Sequence, residues 1–230
     1  MRTAYLAFAA AALLCAGSAQ AANLIVVEAR AIALKPGSTI DSTKPLVLKQ
    51  GQHVTLISEA GATLSIDGPY DQPPSAGGSG RSIATTLAAL TTEHTARTNE
   101  GLVTRNGPVD KLPAPWLFNV THSGSVCLVE GTEPVFWRPD AKTASSIVVM
   151  PVDRSWKSKA DWPAGLDRMT VTTDVPVHGG AAYVVNYAGS EYALSVATVP
   201  ASLANDQVRA AWMVQKGCEA QAEALLNPHK

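Results

Sequence analysis

Between residues 23 and 70 the apolar positions fall in short β-prone runs broken by turn residues. Leu24–Leu34 is rich in Val, Ile and Leu and ends at Lys35-Pro36-Gly37, a turn signal. Asp41-Ser42-Thr43-Lys44-Pro45 precedes a strand at Leu46–Leu48, and Gln50-Gly51-Gln52 introduces another at Val54–Ser58. Glu59-Ala60-Gly61 then turns the chain into Ala62–Tyr70. Val54 and Leu56, like Leu64 and Ile66, alternate with polar neighbours, and this period of two predicts a half-buried hairpin.

From residue 116 the same texture returns. Strands are predicted over Trp116–Thr121, Ser125–Glu130, Pro134–Arg138, Ser146–Pro151, Arg168–Thr173, Ala181–Tyr187 and Tyr192–Thr198, with turn or loop signals between most of them. Short strands at such close spacing suggest a sandwich. Near the end the period changes. Val208, Trp212, Gln215, Cys218, Ala222 and Leu226 recur at three- and four-residue steps, which predicts one helix from Leu203 to Leu226 with a face against the sandwich. Pro200 and Ser202 mark its start and Asn227-Pro228 its end.

Breakers crowd the stretch between these regions: Pro73-Pro74-Ser75-Ala76-Gly77-Gly78-Ser79-Gly80, Gly107-Pro108 and Pro113-Ala114-Pro115. It reads as a connector holding one helix, from about Ser82 to Arg97, through Ile83, Leu87 and Leu90. All five tryptophans lie after residue 115. The expected division is therefore a leader at 1–21, a small β-module at 22–70, a linker at 71–115, and a β-sandwich-like domain with a C-terminal helix at 116–230. The fold class is mainly β.

Composition narrows the function classes. The 230 residues are 46% hydrophobic and 16% charged with a net charge of −1, which excludes a one-sign disordered tail and argues against nucleic acid as a partner. Arg2, the apolar run Ala4–Leu14 and the small-x-small site Ala19-Gln20-Ala21 have the layout of an export signal, cleaved before Ala22. The apolar run is too short for a transmembrane anchor, and no later run reaches membrane-spanning length. A soluble periplasmic protein is expected. Lipidation at Cys15 needs a small residue before the cysteine, and Leu14 stands there, so Cys15 is expected to leave with the leader.

That leaves Cys127 and Cys218, an even pair in an oxidising compartment, which reads as a structural disulfide pinning the terminal helix to the strand that carries Cys127. A metal site or reactive thiol is the alternative; the lack of a Cys-x-x-Cys and of any histidine close to Cys218 argues against zinc.

The first β-region carries a resemblance. Pro36-Gly37-Ser38-Thr39-Ile40, then Leu46–Ile57, then Gly61-Ala62-Thr63-Leu64-Ser65-Ile66-Asp67-Gly68-Pro69 resemble the periplasmic FecR-like β-module, with its PG turn, short strand and glycine-bounded hairpin. The whole chain resembles two-domain exported proteins of alphaproteobacteria in which such a module precedes a β-domain with a C…W-R-P…G-C-x-x-Q pattern. Here that pattern is Cys127, Trp137-Arg138-Pro139 and Gly217-Cys218-Glu219-Ala220-Gln221. The resemblance implies an envelope module that works with a partner. It supplies no catalytic residues, and the transmembrane helix and cytoplasmic anti-sigma segment of FecR regulators have no counterpart in this sequence.

Catalytic and metal patterns do not stand out. His122-Ser123-Gly124-Ser125 and Gly78-Ser79-Gly80 are not nucleophile elbows, and turn chemistry accounts for both. His53, His94, His122, His178 and His229 are scattered, without metal-ligand spacing. Phosphate-cradling glycine runs are missing, so no cofactor is expected. The remaining candidates are aromatic. Tyr70, Trp156 and Trp162 lie near polar, turn-rich stretches and are candidate partner contacts, or else rings folded back over the core. The expected function is a periplasmic binding or interaction module that works with an envelope protein partner, with sensing among the roles such a module serves. Its rivals are an envelope hydrolase assembled from dispersed residues such as His122 and Asp174, and a structural component of an envelope assembly. The oligomeric state is left open.

Overall fold

The computed structural model describes residues 23–59, 61–74, 111–172, 175–203 and 205–227. The leader with Cys15, the helix expected over 82–97, and His94, Asp174 and His229 lie outside them.

The first region forms six strands: β1 (Asn23–Arg30), β2 (Thr39–Asp41), β3 (Leu46–Leu48), β4 (His53–Ser58), β5 (Thr63–Asp67) and β6 (Tyr70–Gln72). Four make an antiparallel sheet in the order β2-β1-β4-β5, and β3 pairs with β6. The predicted hairpin is there in register, with Val54 opposite Ile66 and Leu56 opposite Leu64. The first strand stops at Arg30, short of Leu34. Ala31 takes a left-handed conformation (φ 58), and its carbonyl accepts a hydrogen bond from Gln52 Nε2 at 2.6 Å.

Burial of β4 exceeds the expected half. Val54 and Leu56 join Leu24, Val26, Leu48 and Ile66 on one side, while Ile57 and Val27 enter a different cluster on the other. A register shift between Val26 and Glu28 accompanies this, and consecutive Val26 and Val27 are both buried.

The later region is mainly β as well. It contains β7 (Leu117–Asn119), β8 (Gly124–Val129), β9 (Val135–Trp137), β10 (Ser145–Pro151), β11 (Ser158–Trp162), β12 (Arg168–Thr170), β13 (Ala182–Tyr187) and β14 (Ser190–Val199). Each of the seven predicted strands has a counterpart. The eighth, β11, was not expected. It forms the edge of a five-stranded sheet ordered β11-β10-β13-β14-β8, which faces a three-stranded sheet ordered β12-β9-β7. Phe118, Val120 and Phe136 pack against Val126, Ile147, Val149, Tyr183, Val185, Leu194 and Val196 between the two sheets. β13 and β14 are joined by Ala188-Gly189, both at positive φ (50 and 82), a two-residue hairpin turn whose twist suits the strands.

The single terminal helix is a correction: there are two, α1 (Asp206–Gln215) and α2 (Glu219–Leu226). Asn205 caps α1, its side chain accepting from the Val208 N–H at 2.8 Å, so the start lies beyond Pro200 and Ser202. At the other end Gly217 adopts φ 78; its N–H donates to Val214 O and the Cys218 N–H to Met213 O. This is the Schellman arrangement that terminates a helix at glycine. The apolar spacing runs on through the break, which is why periodicity alone joins the two helices.

α1 is buried on more than one face because it lies between the two β-regions. Val208, Ala210, Ala211, Trp212 and Met213 share one cluster with Val27 and Ile57 from the first region and Cys127 and Val199 from the second. Polar contacts cross the same seam. The Lys216 ammonium donates to Val27 O (3.3 Å) and lies over the Trp212 ring, and Trp212 Nε1 donates to Thr198 O (2.9 Å).

Candidate functional site

Cys127 and Cys218 form a disulfide with Cα atoms 5.8 Å apart, joining β8 to the residue that opens α2. Both cysteines are buried. One turn further on, the buried Gln221 carboxamide accepts from the Cys127 N–H and donates to Cys127 O at 2.9 Å. It satisfies both outward-facing backbone groups of a residue on the edge strand, as a neighbouring strand would. The two thiols are thus committed to structure.

Trp162 is fully buried, which removes it as a surface contact. Its ring lies under the Arg138 guanidinium, 4.8 Å from the centroid, and edge-on to Tyr187. Arg138 is itself fully buried and meets neutral acceptors: Leu166 O, Thr143 O, Ser145 Oγ, Tyr187 Oη and Pro163 O, at 2.7–3.4 Å. Carbonyl groups and an aromatic face disperse its charge and bind the 139–144 and 163–167 loops together. In the sequence Arg138 stands out only within Trp137-Arg138-Pro139, and the signal of its burial is its position directly after an apolar strand and before Pro139.

Tyr70 is half-buried against the first core, and its hydroxyl donates to Pro73 O at 2.8 Å. It is a packing residue with its polar end engaged.

Trp156 is different. It sits half-buried at the end of the sandwich, in the turn between β10 and β11, with its ring tilted against Tyr183 at 6.0 Å. His178 approaches the same tyrosine edge-on at 6.3 Å from the 175–181 segment. The Tyr183 hydroxyl accepts from the His178 backbone N–H and donates to Pro176 O, both at 3.0 Å, which holds that segment against the sheet. The turn carrying Trp156 is also built. Arg154 takes φ 57 and donates its N–H to Pro151 O, while the Asp153 carboxylate accepts from the Ser155 N–H at 3.0 Å. Those backbone and side-chain hydrogen bonds from Ser155 hold the Asp153 carboxyl below its ordinary pKa. Val152 in the same turn is 60% exposed, and Arg154 and Lys157, on either side of Trp156 in the sequence, are exposed as well.

The other residues considered for chemistry stay apart. His122 Nδ1 lies 3.0–3.2 Å from Thr121 Oγ1 and Asn119 Nδ2 within its own turn. The Ser123 hydroxyl accepts from the Ala193 N–H, so both residues serve the β7–β8 connection. His53 pairs with Asp67 on the far β-region at 2.7 Å. Among the described residues no group of three or more His, Cys, Asp or Glu could hold a metal ion, and no helix is long and apolar enough to cross a membrane.

Neither a protein-family model nor a curated protein matches this chain.

Proposed function

We propose that the chain acts in the periplasm after export, as a binding module that engages an envelope protein partner through the surface around Trp156. The observation that carries this reading is the pre-built Trp156 turn: a partly buried tryptophan packed on Tyr183 and the sandwich core, in the same turn as the exposed Val152. A rigid aromatic anchor loses little conformational entropy on binding, and tryptophan is the residue type most enriched where interfaces concentrate their energy. Support for the compartment comes from the leader-like amino terminus, the FecR-like module and a disulfide compatible with export.

The test is crosslinking of tagged protein in living cells, comparing the natural chain with Trp156→Ala. Truncating an interface anchor of this type costs about 2 kcal/mol, or roughly thirtyfold in affinity. The reading requires loss of the dominant crosslinked envelope protein while the melting temperature stays close to that of the parent. Undiminished capture by Trp156→Ala would contradict it.

A further inference from the structure

Among the described residues the five-stranded sheet ends at β11 without a further strand, and the backbone pattern and charges of that edge fit a second copy of itself. Among the described residues β11 pairs only with β10, with Ala160 opposite Ile147 and Ser158 opposite Val149. Which backbone groups remain free follows from the ladder. The Val152 N–H donates to Ala182 O, so Val152, Met150 and Val148 direct their backbone groups towards β13. Alternation then turns Ile147 and Val149 towards β11, where they meet Ala160 and Ser158. The N–H and C=O groups of Lys159 and Asp161 face outward.

We propose that two copies of this chain pair antiparallel through β11 about a two-fold axis at Ala160, making one continuous ten-stranded sheet from two sheets of five. An isologous contact places each residue opposite its mirror position across the axis. Lys159 then stands opposite the second copy's Asp161, and Asp161 opposite its Lys159. These are the residues with outward backbone groups, so both pairs are hydrogen-bonded ones and the ladder closes with four main-chain bonds. Lys159, Ala160 and Asp161 are all exposed, and neither charged group forms an ion pair among the described residues. A lysine on an edge normally discourages strand addition, but here the self-complementary Lys-Ala-Asp order supplies its own counter-charge. Strands carrying other charges would meet a mismatch, which makes this edge selective for a copy of itself.

The test is a charge-swap cycle read by sedimentation equilibrium on the full chain. Lys159→Asp puts acid opposite acid, and Asp161→Lys puts base opposite base. Because the two-fold repeats each contact, either single change weakens the dimer by about tenfold or more. The double variant Lys159→Asp with Asp161→Lys restores complementarity and returns the dimer. Lys159→Pro, which deletes an outward N–H without touching the β10 ladder, abolishes it. Near-ultraviolet circular dichroism confirms folding of each variant. A parent chain that stays monomeric up to millimolar concentration overturns the proposal, as does a dimer indifferent to the single reversals or one that the double swap fails to restore.

Discussion

The two edges of the five-stranded sheet are finished in opposite ways. At β8, Cys127 is tied by a disulfide to the start of α2, and its outward N–H and C=O are taken by the Gln221 carboxamide. At β11, Lys159, Ala160 and Asp161 lie open to solvent. One edge is closed by covalent bond and side-chain mimicry; the other is guarded only by charge. At β8 the molecule commits chain to stability, and at β11 it leaves backbone groups unpaired among the described residues. The β8 edge borders the α1 seam that joins both β-regions, so opening it would unpack Trp212, Met213 and Ala222 together. At the β11 edge only Trp162, the last residue of the strand, enters a core, and Lys159, Ala160 and Asp161 do not.

The largest effect is expected at the disulfide. Cys127→Ala with Cys218→Ala frees a loop of 91 residues and is expected to cost about 4 kcal/mol on chain-entropy grounds, read as a lower midpoint in urea unfolding. Gln221→Leu keeps the volume but leaves the Cys127 N–H and C=O buried without partners, a loss of about 2–3 kcal/mol in the same assay. A change below half a kcal/mol would mean that water or another group can finish that edge.

The smallest effect belongs to the turn that leads into β11. The carboxyl of Asp153 titrates below the usual carboxylate range in the folded chain because the Ser155 backbone N–H and hydroxyl donate to its charged form. A folded pKa lying below the unfolded one gives stability that is present above about pH 4 and is lost as pH falls through the folded value. Asp153→Asn is therefore expected to lower the melting temperature slightly at pH 7, with the difference shrinking as pH falls through the folded pKa of the carboxyl. A difference that stays constant as the solution is acidified would assign the effect to something other than ionisation.

Much of the fold could be read directly because burial repeats along these strands. The Val54/Leu56 and Leu64/Ile66 alternation located a hairpin to the residue, and the even cysteine count identified the disulfide. What escaped depends on neighbours distant in sequence. β11 shows no apolar alternation, since Lys159, Ala160 and Asp161 at a sheet edge meet water on both faces. The break between the helices hangs on one glycine, Gly217, inside an uninterrupted apolar spacing. Trp156 and Trp162 sit in near-identical polar surroundings along the chain; only the fold buries the second fully under Arg138 and leaves the first partly buried against Tyr183. Burial of Arg138 itself rests on loop carbonyls as far away as Leu166, which no local pattern announces.

Residue-resolved amide hydrogen exchange, on protein diluted below any self-association, tests the contrast between the edges most directly. The Cys127 amide is expected to exchange as slowly as amides in the sheet interior, such as that of Val185, and the Lys159 and Asp161 amides orders of magnitude faster. A rapidly exchanging Cys127 amide, or Lys159 and Asp161 amides protected to the same degree as Cys127, would contradict that contrast.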